Sequence, residues 1–98
     1  MLPGALPYEI SQDGKLVAID LAYASITDEF LKRFNEFPDL QKITLIGTKI
    51  TDAGLDNLVE MGSLKQLLLW DTQVSDEGVA KFRESHPDCE VRGPDPSK

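Results

Sequence analysis

A single cysteine, Cys89, and a single histidine, His86, stand among 98 residues. One thiol excludes an internal disulfide and any metal site built from several cysteines, and it leaves the redox compartment unreadable. Basic residues are scarce: 10 Lys and Arg against 17 Asp and Glu give a net charge of −7. That balance argues against nucleic acid and against an anionic membrane surface as partners. No run of 18 apolar residues occurs, so no segment is expected to span a membrane as a helix. The N-terminal stretch MLPGALPYEI lacks the basic start and apolar run of a secretory signal. The compartment stays open, with the cytoplasm favoured. A glycine-rich phosphate loop, a C-x-x-C-H haem attachment site and paired carboxylates in an evident cleft are also absent. Neither a cofactor nor catalysis is expected.

What the chain does have is apolar residues, 41% of the total, arranged with a period. Such a fraction suits one small folded domain or a fragment of a larger protein. Three stretches align at a spacing of 24 residues: LVAIDLAYASITDEFLKRF from Leu16, LQKITLIGTKITDAGLDNL from Leu40 and LKQLLLWDTQVSDEGVAKF from Leu64. The apolar columns are Leu16, Leu40, Leu64; Ile19, Ile43, Leu67; Leu21, Leu45, Leu69; and Ile26, Ile50, Val74. They continue through Asp28, Asp52, Asp76; Leu31, Leu55, Val79; and Phe34, Leu58, Phe82. Self-similarity at one period is the mark of a stacked repeat architecture. Within a copy, Ile43 and Leu45 keep strand spacing, and Leu55, Leu58 and Val59 keep helical spacing. Thr51 or Asp52 is placed to N-cap the helix between them, and Thr27-Asp28 and Ser75-Asp76 repeat the device.

The flanks read differently. Residues 1–7, with two prolines and a glycine, form an irregular lead-in. Asp13-Gly14 predicts a hairpin that lays Tyr8–Ile10 antiparallel against the first repeat strand, so residues 1–15 cap the stack. Residues 16–92 hold the three repeats and a short closing strand at Cys89–Arg92, where His86-Pro87-Asp88-Cys89 departs from the register by one position. Gly93-Pro94-Asp95-Pro96 predicts a flexible tail over residues 93–98.

The columns L-x-x-[IL]-x-L-x-x-[AT]-x-[IV] resemble the leucine-rich repeat pattern. The [TS]-D-[AE]-G-[LV] that follows in the second and third copies looks like the short bacterial proteins with TDAGL units. It is also similar to the cysteine-containing repeats of F-box-type adaptors. The resemblance covers about residues 13–92. It implies an α/β fold: a short curved solenoid of right-handed β-α repeats, a parallel sheet on one face and helices on the other. It also implies a recognition scaffold, the class of partner being left open. Two departures stand out. Ala24 occupies the turn column that Thr48 and Thr72 fill, and the first copy carries Phe30 where the others have Gly54 and Gly78. Both point to a less regular first unit, while the central unit is expected to be the most regular and best buried.

Stacking in this way turns one set of columns outward: Ala18, Lys42, Gln66; Asp20, Thr44, Leu68; Ala22, Ile46, Trp70; and a looser row of Tyr23, Gly47, Asp71. Trp70, Leu68 and Ile46 then form an exposed apolar patch with Lys42, Thr44, Gln66 and Asp71 around it, a composition that protein interfaces use. The competing reading is that Trp70 only shields its strand neighbours. A protein partner of unknown identity is expected on this face. The alternative is a structural subunit that self-associates or docks through its terminal strands or the apolar patch. Other candidates have plainer explanations. The aspartate column could hold a hard cation, but helix capping accounts for it. Cys89 reads as a small buried hydrophobe, and His86 is too poorly placed to serve it as a base.

Overall fold

A computed structural model describes residues 8–93; the lead-in at 1–7 and the tail from Pro94 onward lie outside the described residues. The protein is a mixed α/β fold built on one five-stranded sheet. The strands are β1 (Tyr8–Ile10), β2 (Leu16–Asp20), β3 (Lys42–Thr44), β4 (Gln66–Leu68) and β5 (Glu90–Arg92). Their spatial order is their chain order. β1 is antiparallel to β2, and every other pairing is parallel. A 3-10 helix (Asp28–Glu36), α1 (Asp52–Asp56) and α2 (Asp76–Ser85) make the crossovers that parallel neighbours require. No helix among the described residues is long and apolar enough to cross a membrane.

The hairpin forms as its turn chemistry dictates. Gly14 takes the left-handed φ of +85° that Asp-Gly turns need, and Ser11 N–H donates to Lys15 O at 2.8 Å. Beyond it, the pairing follows the 24-residue columns without a slip: Ile19 lies beside Ile43, Ile43 beside Leu67, and Leu67 beside Val91. The closing strand keeps that register, and the one-position departure at His86-Pro87-Asp88-Cys89 stays within the turn before it. The turn His86–Cys89 absorbs the altered spelling, with Cys89 N–H donating to His86 O at 3.0 Å, and Val91 arrives in the inward column.

The core lies between sheet and helices. Ile43, Leu45, Leu67 and Leu69 from the sheet side meet Leu31, Phe34, Leu55, Val79 and Phe82 from the helices and Leu58 from the turn after α1, and all are buried. The equivalent residues of the first unit, Leu16, Ile19, Leu21 and Ile26, are only half-buried, because nothing but the three-residue β1 lies beyond them. The central unit is the best buried, as expected, but not the most regular. Its helix is only five residues long, and Val59, counted on its apolar face, is 40% exposed. The first unit's segment is 3-10 throughout, and its N-cap residue Thr27 makes no side-chain capping bond.

The aspartate column does something other than cap its own helices. Thr51 and Ser75 are the N-caps, their hydroxyls accepting from Ala53 N–H and Gly78 N–H. The carboxylate of Asp28 reaches forward one unit and accepts from Thr51 N–H at 2.8 Å and Thr51 Oγ1 at 2.6 Å. Asp52 holds Ser75 through the same two bonds at 2.8 and 2.6 Å. This geometry accounts for the glycine column. A Cβ on Gly54 would lie 2.5 Å from Asp28 Oδ1, and one on Gly78 only 2.1 Å from Asp52 Oδ1. Phe30 can replace glycine in the first unit because no earlier carboxylate in the column reaches it. It stands instead edge-on to Phe34, with ring centroids 5.9 Å apart.

In an ordinary helix Gly→Ala stabilises by about 1 kcal/mol. Gly78→Ala is expected to reverse that sign, costing about 1–3 kcal/mol as Asp52 is pushed off both of its hydrogen bonds. Chemical denaturation of Gly78→Ala, alone and in an Asp52→Ala background, measures the coupling. Alanine at 78 should become neutral or favourable once the carboxylate is gone.

Candidate functional site

Helices cover one face of the sheet and leave the other without a second layer. The outward columns lie on that open face, in rows across the parallel strands: Ala18, Lys42, Gln66 and Glu90, then Asp20, Thr44, Leu68 and Arg92. The third row, Ala22, Ile46 and Trp70, stands just past the strand ends, where the ladder continues as Tyr23 N–H to Ile46 O (2.6 Å) and Gly47 N–H to Trp70 O (3.0 Å).

The expected patch is present in part. Lys42 and Asp71 are exposed, while Gln66, Leu68, Ile46 and Trp70 are half-buried. Thr44, expected on the polar rim, is buried at 7% exposure. The cause is its place on the central strand. Lateral neighbours stand about 5 Å away, so a short threonine sinks between Asp20 and Leu68 and beneath Lys42 and Ile46. Beside Trp70, Gly93, at a φ of +100°, runs so close to the backbone that a Cβ there would lie 2.6 Å from Trp70 N. Trp70 thus borders a groove of about 540 Å³ shared with Asp76, Arg83, Val91 and Arg92.

The aromatic that does stand out on this side is Tyr23, 73% exposed and absent from the patch read from the sequence. Its ring lies flat over Gly47, where a Cβ would meet Tyr23 Cδ1 at 2.3 Å. Tyr23, Gly47 and Asp71 share a left-handed backbone, with φ of 62°, 72° and 60°, which is uncommon for an aromatic residue. The signal was legible in principle: Tyr23 aligns with a glycine one unit on, so its side chain has a vacant neighbour to lie on.

Electrostatics divide the face. Lys42 makes no ion pair among the described residues. Gln66 Nε2 donates to Glu90 Oε1 at 3.1 Å, and Arg92 Nε donates to Glu90 Oε2 at 2.7 Å, so that corner is a closed polar network. Asp20 folds back to accept from Ala22 N–H at 3.0 Å. In the turn column, the threonine hydroxyls bond backbone: Thr48 Oγ1 donates to Leu45 O at 2.7 Å and Thr72 Oγ1 to Leu69 O at 2.8 Å.

No protein-family model matches the chain, and no curated protein matches it significantly.

The remaining chemistry-bearing residues lie away from this face. His86 is buried and stacked on Phe82, with centroids 4.3 Å apart and planes 4° from parallel, and its Nδ1 finds no hydrogen-bond partner among the described residues. Cys89 is buried just before β5. Burial pushes its thiol pKa up, and the Glu90 carboxylate adds to the rise against a smaller opposing pull from Lys65. A thiol so placed holds little thiolate at neutral pH. Maleimide labelling of Cys89 should be slow in the native protein and reach the rate of an ordinary thiol after unfolding. Because the folded pKa is the higher one, the stability gained from the buried thiol is intact at neutral pH. It is lost as the pH rises through the ordinary thiol range and past the raised value, which an alkaline stability titration against Cys89→Ala would show.

Proposed function

We propose that this protein is a leucine-rich-repeat-type, non-catalytic module that binds a protein partner on the open face of its sheet. The observation that carries the reading is an uncovered sheet face bearing Ile46, Leu68 and Trp70 in adjoining rows, with Tyr23 beside them and the unpaired ammonium of Lys42 below. Half-buried anchors suit recognition: their rotamers are already restricted, so less entropy is lost when a partner covers them. The 24-residue register of three parallel strand pairs supports the repeat assignment, since each unit then contributes one residue to each outward row. Aromatic anchors with a polar surround carry most of the binding energy in interfaces of this kind.

A second reading, self-association through the N-terminal strand, is favoured by Tyr8 and Ile10, which are 43% and 55% exposed on β1. An apolar edge strand is a template for pairing.

Trp70→Ala and Tyr23→Ala, with circular dichroism to check the fold, separate the two readings. If the sheet face is the site, each variant should weaken capture of the native partner by roughly thirtyfold or more, corresponding to about 2 kcal/mol for an anchor residue. Glu60→Ala on the helix side should leave capture unchanged. Full binding by a folded Trp70→Ala/Tyr23→Ala chain rules the face out.

A further inference from the structure

The two edges of the sheet are finished differently. At one edge the pairing of β1 with β2 shifts register between Glu9 and Ile10, leaving Val17 of β2 without a partner on β1, which interrupts the pairing line. The other edge is β5, and its backbone is only half used. Glu90 N–H donates to Lys65 O at 2.8 Å, and Arg92 O accepts from Leu69 N–H at 2.7 Å, so both residues turn toward β4. Alternate residues of a parallel strand bond to the same neighbour. Val91, between them, therefore presents its N–H and C=O to the outer edge. Its carbonyl is already taken: Arg83 reaches from α2 around the edge, and its Nη2 donates to Val91 O at 2.8 Å.

Without that guanidinium the strand is complementary to itself. Antiparallel pairing about a two-fold axis through Val91 places Val91 opposite Val91 of a second copy, exchanging both N–H···O bonds of a hydrogen-bonded pair. The same axis sets Glu90 opposite Arg92 of the second copy, and Arg92 opposite its Glu90. Opposite charges directly across a strand pair stabilise it, and like charges oppose it. The groove bordered by Trp70, Val79 and Gly93 runs beside this edge and gives the incoming strand room.

We propose that the β5 edge is a docking surface for a second copy of this chain, held closed by the Arg83 hydrogen bond to the Val91 carbonyl. This surface adjoins the sheet face at Trp70, Glu90 and Arg92, but its pairing runs through the β5 backbone and does not depend on the function proposed for that face. Arg83→Met keeps a long unbranched stem and loses the donor, so it frees the acceptor. Sedimentation velocity over a range of concentrations should show Arg83→Met self-associating to a dimer roughly a hundredfold more tightly than the native protein, the net worth of two hydrogen bonds, one on each copy. Adding Glu90→Arg, which sets like charges across the two-fold axis, should return it to the native profile. If circular dichroism shows Arg83→Met unfolded, Arg83→Leu, which also lacks a donor, takes its place under the same criteria. Equal sedimentation of the native and Arg83-substituted proteins at every concentration overturns the proposal. So does a Glu90→Arg double variant that dimerises as well as the single one.

Discussion

A carboxylate that reaches forward to hold the first turn of the next unit is the contact on which this architecture depends. Sheet hydrogen bonds join the units on one side, but a sheet alone would leave the helical layer free to slide. Asp28 on Thr51 and Asp52 on Ser75 fasten that layer at the same period as the strands. Each tie uses the N-cap residue's own N–H and hydroxyl, groups that a helix N-terminus leaves short of partners. The bonds are charge-assisted, which places them among the stronger hydrogen bonds, and those of Asp28 to Thr51 are also part-buried. Their geometry leaves no room for a Cβ at Gly54 or Gly78, so one residue choice explains another one unit downstream.

The stack is finished unequally at its two ends. At β5, Arg83 covers an outward carbonyl and Gly93 turns the chain across Trp70. At the other end a three-residue strand lies against a first unit whose apolar columns remain half open. The same unit has a 3-10 crossover, an uncapped Thr27 and Phe30 in place of glycine. These follow from one circumstance: no preceding carboxylate in the column holds it. The proposed recognition face lies across the units and meets the β5 end at Trp70, Glu90 and Arg92.

Much of this was readable from spacing. The 24-residue columns foretold the strand partners, the inward residues and the hairpin at Asp13-Gly14, because periodic apolar positions leave few ways to bury themselves together. The glycine column and the aspartate column were both visible too. Their relation was not, since nothing in a linear sequence says that Asp52 meets Gly78 and Ser75 rather than its own helix. Local capping rules pointed the aspartates at the wrong partner for that reason. The one-position departure at His86–Cys89 was legible, but only the fold shows that the turn takes it up before β5.

What the chain order of residues settled was the periodic skeleton: which positions face inward, where strands begin, and that one sheet face would carry Ile46, Leu68 and Trp70. Side-chain pattern suffices there because burial depends on spacing along a strand or helix. Exposure within the outward face depends on lateral neighbours, which are 24 residues away in the chain and about 5 Å away in space. Thr44 sinks, Tyr23 lies over Gly47, Gly93 closes on the Trp70 backbone, and Arg83 finds the Val91 carbonyl. Each of those outcomes is a contact between units, and only the assembled fold brings the partners together.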